Sequence, residues 1–319
     1  MKTFIATAVQ HPPVFLNLPA SLDKAETLIT QAAAEGAQLI AFGETWLTGY
    51  PVWLDEAPGA ALWNSDPATA VFRQLFENSV EMGSPEVARL CQASKAANVT
   101  LVMGMHERAG GTLYNSILTI GPDGTMLNLH RKLVPTYTER LVWGRGDGSS
   151  LNVVESPVGK LGSLVCWEHW MPASRIALHQ QQELIHIAQW PTVREMHLVA
   201  SRHYAFEGQC FVIAAGCVLQ KKDLAHLDLP LLQEIPGDGE TLLQRGGSAI
   251  IAPNGDILAG PLHEQSGFVT AEIDPILAIN GRLTLDTTGH YSRPDIFQLH
   301  INRQKQNNVI NEKNHIETR

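Results

Sequence analysis

An α/β fold is expected for this chain: a four-layer αββα sandwich of two mixed β-sheets packed face to face, with helices on the outer faces. Three observations predict it. The N-terminal segment alternates strand-like and helix-like periods. Two hairpins of similar sequence lie far apart in the chain. The halves that hold them each contain an apolar strand that stops at a reactive side chain, Glu44 in the first and Cys166 in the second. Two repeats of one strand-and-helix plan, each with an apolar sheet face to hide, are satisfied by packing those faces together.

Thr3 to Gln10 is apolar and β-rich and reads as a first buried strand. It superficially resembles a signal peptide, but the apolar stretch is too short and Gln10-His-Pro-Pro13 follows at once. Ser21 to Glu35 reads as a helix: Ser21 suits an N-cap, and Leu22, Ala25, Leu28, Ile29, Ala32 and Ala33 recur at helical spacing. Gly36 can close it in a left-handed turn. Gln38 to Phe42 is the next strand, so the two flanking strands are expected to be parallel neighbours. Residues 45 to 84 look irregular, rich in Trp, Pro and Gly, as functional loops are.

Pro85 to Ala97 predicts a second helix with proline in its first turn, and Val99 to His106 a buried strand. The hairpins run from Ser116 to Leu127 around Pro-Asp-Gly and from Ser248 to Leu258 around Pro-Asn-Gly. Between them, Leu161 to Cys166 predicts a strand that turns at Trp167-Glu-His169 into a helix from Pro172 to about Gln182. Ile185 to Ala188 and Phe211 to Val218 complete the buried strands. One domain is expected over residues 1–300, followed by a polar tail over 301–319. From Gln304 that tail is rich in Asn, Gln and Lys, and is expected to be disordered or to act as an assembly arm.

The bulk numbers exclude several function classes. Of 319 residues, 44% are hydrophobic and 17% charged, an ordinary core-forming balance. The net charge of -9 argues against a nucleic-acid footprint and against docking on an anionic membrane. No apolar run approaches the roughly 20 residues that span a bilayer. The four cysteines, Cys91, Cys166, Cys210 and Cys217, show no paired spacing, so no disulfide framework is expected and a reducing cytoplasm fits.

Cys166 stands out for chemistry. A cysteine is usually a small buried hydrophobe, and Cys91, Cys210 and Cys217 suit that role. Cys166 instead closes a strand and opens a turn, where pocket exposure and a helix dipole would favour the thiolate. It needs a base. Histidine is the usual partner, and 13 histidines leave a Cys–His pair open. Two other charges sit in apolar settings: Glu44 ends the run from Gln38, and Lys132 follows the first hairpin in His130-Arg-Lys-Leu-Val-Pro135. A strand-end carboxylate beside an aromatic loop can serve as general base, and a nearby ammonium can stabilise developing negative charge. Taken singly, such a Glu or Lys is more often just solvated.

Together, Phe42-Gly-Glu44, His130-Arg-Lys-Leu-Val-Pro135 and Cys166-Trp-Glu-His-Trp-Met-Pro172 resemble the Glu–Lys–Cys signature of the nitrilase superfamily, in order and spacing. The likeness runs over about residues 3–300 and implies a carbon-nitrogen hydrolase domain over 1–300. Phe42 to Pro51, Glu139 to Gly148, Ala188-Gln-Trp-Pro191 and Gly289 to Pro294 are similar to its nitrilase branch. The resemblance implies Cys166 as nucleophile, Glu44 as general base, Lys132 as electrostatic stabiliser and Glu139 as a second carboxylate beside the lysine. A surface ion pair of Glu139 with Arg140 or Arg145 is the other reading. The implied activity is hydrolysis of a nitrile to acid and ammonia through a thioimidate and a thioester, with no metal or organic cofactor. A cyanide dihydratase or an amidase would use the same residues. Many nitrilases carry Asn where this chain has His169, while cyanide-converting relatives and some true nitrilases carry His, so the resemblance leaves the nitrile open and the reaction class unchanged. It also implies a homodimer or larger homo-oligomer.

Trp46, Trp53, Trp63 and Trp190 suit either a pocket wall or the core. The substrate-binding set expected from the sequence is Tyr50, Trp53, Trp167, His169, Trp190 and Pro191, and the aromatic loop after Glu44 points faintly to an aryl or arylaliphatic nitrile. Gly144-Arg-Gly-Asp-Gly148 lacks the Gly-Lys-Ser/Thr of a phosphate loop. His179, His186, His197 and His203 lack His-Glu-x-x-His spacing, so no metal site is expected. The reading from another class is a catalytically inactive assembly protein on this fold, which an intact Glu–Lys–Cys set disfavours.

Overall fold

The computed structural model describes residues 2–306. In chain order its strands are β1 (Phe4–Gln10), β2 (Ala37–Phe42), β3 (Val80–Glu81), β4 (Thr100–Ala109), β5 (Thr112–Ile120), β6 (Met126–Arg131), β7 (Val154–Ser156), β8 (Gly159–Val165), β9 (Ile185–Gln189), β10 (Phe211–Ala215), β11 (Val218–Gln220), β12 (Leu242–Ile251), β13 (Ile257–His263) and β14 (Gly267–Ile273). One sheet has the order β14-β1-β2-β4-β5-β6, with β3 beside β4; the other has the order β11-β12-β10-β9-β8-β7, with β13 on β12. Both are mixed. β1, β2 and β4 run parallel in the first, and β8, β9 and β10 in the second, with antiparallel strands outside them.

Strand alternation builds the layers. On β2, Leu39 and Ala41 enter the core between the sheets with Ala6 and Ala8 of β1. Their neighbours Ile40 and Phe42 join Leu22, Ala25, Leu28, Ile29, Val87 and Leu90 beneath the helices Leu18–Ala34 and Pro85–Ala97. The second sheet is covered by the helices Pro172–His179 and Glu195–Gly208, through Leu178, Ala200, Tyr204 and Ala205. The expected αββα sandwich is therefore present.

Some boundaries differ from those expected. The first helix starts at Leu18 with Asn17 as its cap, because Ser21 is buried and bonds back to Val14. The stretch 45–84 is not irregular throughout. It contains a helix, Asp66–Glu77, capped by Ser65, and with Phe15, Trp53, Val71 and Leu75 it forms a small core of its own. Phe211 to Val218 is two strands, broken at Gly216-Cys217. The tail begins packed rather than free: Ile301 lies against the main core, and Arg303 donates to the Leu151 carbonyl at 2.7 Å. The rest of the tail, 307–319, lies outside the described residues. Among the described residues, no helix is long and apolar enough to cross a membrane, and all four cysteines are free.

Candidate active site

The site sits where strand ends of the two sheets meet. Glu44 leaves β2 of the first sheet, and its backbone N–H donates across the gap to the Trp190 carbonyl at 3.2 Å, just past β9 of the second. Gln189 of β9 donates to the Phe42 carbonyl at 2.9 Å. Gly104 of β4 is required there, since a Cβ would run into the Gly43 carbonyl and the Thr45 N–H. The loop bearing Glu44 is thus held by backbone contacts from both sheets.

Lys132 follows β6 and is fully buried. Its Nζ donates to Glu44 Oε1 at 2.9 Å and to Glu139 Oε2 at 2.6 Å. Glu139 also accepts from the Thr136 N–H at 2.6 Å and the Tyr50 hydroxyl at 2.9 Å. Burial by itself would lower the Lys132 pKa, but Glu44, Cys166 and Glu139 outweigh it and hold the ammonium well above its ordinary value. Glu139 is therefore Lys132's partner, not one half of a surface pair.

Glu44 Oε1 also accepts from Asn115 Nδ2 at 2.7 Å, while Oε2 is buried with no hydrogen-bond partner among the described residues. Burial lifts the Glu44 carboxyl to about 7, against the pull of Lys132. The Cys166 sulfur and carboxylate oxygens of Glu44 and Glu139 all lie within 4.8 Å of one another. Such a set could ligate a metal, but the Lys132 ammonium already bonds to both carboxylates. A carboxylate with a free oxygen, a fixed cation and a thiol therefore converge on one point.

Cys166 follows β8 with φ 51°, a left-handed conformation that a side chain adopts only under constraint. Cys166–Trp170 is a 3-10 turn, and the α-helix starts only at Pro172, so the dipole expected to favour a thiolate is short. Burial pushes the thiol pKa well above the ordinary value, Glu44 adds to this, and Lys132 opposes it. The resting group is a thiol beside a buried carboxylate.

Glu168 had no assigned role in the sequence reading, yet it clips the site together. Its carboxylate accepts from Val165 N–H at 2.7 Å, before Cys166, and from Leu133 N–H at 2.8 Å, after Lys132, with His130 Nε2 at 3.0 Å. Burial would raise its pKa, but His130 and the two backbone donors keep it below the ordinary value. Asn115 and His106 were likewise missed. His106 accepts from Trp143 and donates to the Gly49 carbonyl at 2.9 Å, which steadies the turn before Tyr50; burial lowers its pKa to about 4 and keeps it neutral. Each is an ordinary polar residue inside a strand, with no spacing signal to mark it.

A cavity of about 880 Å³ opens onto Cys166, bordered by Tyr50, Trp167, Trp170 and Pro191. Of the expected substrate-binding set, Tyr50, Trp167 and Pro191 border this cavity. Three other expected pocket residues do not line it. Trp53 is buried edge-on against Phe15 in the loop's own core, because the helical turn Trp53–Glu56 directs it inward. Trp190 is fully buried, stacked between His169 and His197. His169 lies beneath the elbow, with Nδ1 2.6 Å from the Cys166 carbonyl. Trp46 is core and Trp63 is 91% exposed.

Residues 5–280 match the carbon-nitrogen hydrolase family model. The chain is 38% identical to Nitrilase 1 of Arabidopsis thaliana over 96% of its length and 89% of the relative's. It is 39% identical to a nitrilase of Pseudomonas syringae over 92% and 88%. A bifunctional nitrilase/nitrile hydratase of Oryza sativa is 40% identical over 95% of this chain and 85% of its own. Among solved structures, a carbon-nitrogen hydrolase from Helicobacter pylori superimposes with a TM-score of 0.72 at 19% identity, covering 92% of this chain and 97% of that one. An amidase from Nesterenkonia does so with a TM-score of 0.63 at 17% identity, covering 87% and 92%. The chain belongs to the carbon-nitrogen hydrolase family, in the nitrilase branch of the nitrilase superfamily.

Proposed function

We propose that this protein is a nitrilase, hydrolysing a small nitrile to the carboxylic acid and ammonia. The observation that carries the reading is the convergence of the Cys166 thiol, the unpartnered oxygen of Glu44 and the Lys132 ammonium at the floor of one cavity. Glu44 takes the thiol proton as sulfur adds to the nitrile carbon, and the proton passes to nitrogen, leaving a thioimidate. Glu44 then deprotonates a water that adds to the same carbon. Lys132 stabilises the tetrahedral anion, Glu44 returns the first water proton to nitrogen and then relays the hydroxyl proton to it, and the C–N bond breaks to release ammonia and leave the thioester. A second water releases the acid from the thioester and restores the thiol. Glu139 holds Lys132 charged and in place throughout.

A second reading rests on the rice relative, whose name includes nitrile hydratase activity. Collapse of the same tetrahedral intermediate with loss of sulfur instead of nitrogen would release the amide. Ammonia and amide measured over a panel of nitriles, amides and cyanide test all these readings. We expect ammonia from at least one organic nitrile and none after Cys166→Ala, with the variant still folded. Release from amides alone would make the protein an amidase, and release from cyanide alone a cyanide dihydratase. An inert wild-type protein would favour the assembly role.

We further propose that the protein self-associates. Ile176, Met196, Val199 and Phe206 leave an exposed apolar face on the helices covering the second sheet. Sedimentation showing only monomer would refute this. A reducing compartment such as the cytoplasm suits four free cysteines, one of them the nucleophile.

A further inference from the structure

Beneath Cys166 lies a buried polar relay that the reaction itself does not use. The Cys166 carbonyl can only accept, so His169 Nδ1, 2.6 Å away, carries a proton. Burial lowers the His169 pKa well below the ordinary value, so the ring is neutral and its Nε2 accepts. The proton at that nitrogen comes from His186 Nε2, 3.0 Å away. His186 Nδ1 lies 3.0 Å from Glu183 Oε2, which completes the string from Cys166 to Glu183. Glu183 is fixed by the Tyr204 hydroxyl at 2.6 Å and by His179 at 2.8 Å. Room for its carboxylate exists because residue 162 of β8 is glycine; a Cβ there would collide with Oε2.

His169 is therefore held from every side. Its ring stacks on Trp190 at 4.7 Å and meets Tyr204 edge-on at 5.7 Å, and Arg175 donates to its carbonyl at 3.0 Å. A planar trans peptide points its carbonyl and its N–H in opposite directions. Drawing the Cys166 carbonyl inward onto His169 thus turns the Trp167 N–H outward, on the side of the cavity that Cys166 and Trp167 border. The same bond opposes relaxation of the φ of 51° at Cys166.

The geometry points to His169 as a positioning residue: held by the His186–Glu183 relay, it locks the Cys166–Trp167 peptide so that the sulfur faces Glu44 and the Trp167 N–H faces the developing anion. This rests on the nitrilase reading for its kinetic test but not for its thiol test.

His169→Phe keeps the stacked ring and removes the anchor. His169→Asn restores a side-chain N–H close to the position of Nδ1. With a nitrile substrate, His169→Phe is expected to lower kcat about 100-fold with KM nearly unchanged, as misplacing a reacting group by about 1 Å does. His169→Asn is expected to recover most of that loss. Carbamidomethylation of Cys166 by iodoacetamide, followed by peptide mapping, should slow in His169→Phe and recover in His169→Asn. If His169→Phe misfolds because His186 loses its partner, His169→Phe with His186→Phe removes both groups and should show the same defect. Wild-type kcat and alkylation in His169→Phe or in the double variant would overturn the inference. So would a folded His169→Asn variant as slow as His169→Phe. If the wild-type protein hydrolyses no nitrile, the functional reading fails and the alkylation series still decides the anchor.

Discussion

Replacing Glu168 by Gln tests how much of the site depends on one carboxylate. Its two oxygens serve two backbone N–H groups, at Val165 in β8 of one sheet and at Leu133 just past β6 of the other. An amide offers one acceptor and one donor, so either orientation turns an NH₂ against one of those donors. The variant loses a charge-assisted hydrogen bond and leaves a buried N–H unpaired, together about 3–5 kcal/mol. At about 2 °C per kcal/mol, the low end for large domains, the melting temperature should fall by about 6–10 °C. Releasing either tie lets Cys166 shift relative to Lys132, and kcat should fall about 100-fold with a smaller change in KM. The pH dependence gives a second check. A carboxyl whose folded pKa lies below its ordinary 4.5 stabilises the fold above that value, and the stabilisation is lost as pH falls through the folded pKa. The wild-type advantage over Glu168→Gln should therefore shrink on acidification below about 4.5. Scanning calorimetry and steady-state kinetics suffice. A variant with wild-type kcat and unchanged melting would refute the idea that Glu168 joins the two sheets at the site.

Three further outcomes are expected. With the Glu44 pKa at about 7, kcat/KM should rise with pH through that value as the base deprotonates and then level off; a profile flat across that range would remove Glu44 as the base. Gly104→Ala forces a methyl group into the Gly43 carbonyl, which should destabilise by about 1–3 kcal/mol and lower kcat through the displaced Glu44; denaturant melts showing no loss would place the crowding elsewhere. Tyr50→Phe removes the buried 2.9 Å bond to Glu139 and should cost about tenfold in kcat/KM, close to one hydrogen bond, and lower the melting temperature by about 2–3 °C; an unaltered rate would show that Glu139 is held well enough by Thr136 and Lys132.

The layered fold was legible because strand and helix periods carry over directly into burial, as at Leu39, Ile40, Ala41 and Phe42. Three elements were not. The helix Glu195–Gly208 shows no clean apolar stripe, since it buries Ser201 and Tyr204 and exposes Met196, Val199 and Phe206. The helix Asp66–Glu77 hid in a segment whose Trp and Pro content suggested loop. β14 pairs with β1 across most of the chain, a partnership that no local pattern encodes. At the site, Glu44, Lys132 and Cys166 were readable because their three motifs stand together in the order and spacing of a known family; singly, a strand-end Glu or Lys passes as solvated. Their supports were not: whether Glu168 faces solvent or two backbone donors depends on a neighbouring sheet. Trp53 and Trp190 misled for the same reason, since an indole near the site in sequence serves equally as wall or core.

In the proposed mechanism the base and the lysine come from one sheet and the nucleophile from the other, so interlayer spacing becomes a kinetic variable. Ala6, Ala8 and Ala41 lie in the core between the sheets, with Ala41 only three residues before Glu44. Their methyl groups act as thin shims. A bulkier residue at Ala41 would wedge the slabs apart and lengthen the gap that the thiol proton must cross, without touching any reacting group. Heat or denaturant that loosened the seam would silence the enzyme while both sheets kept their ladders intact.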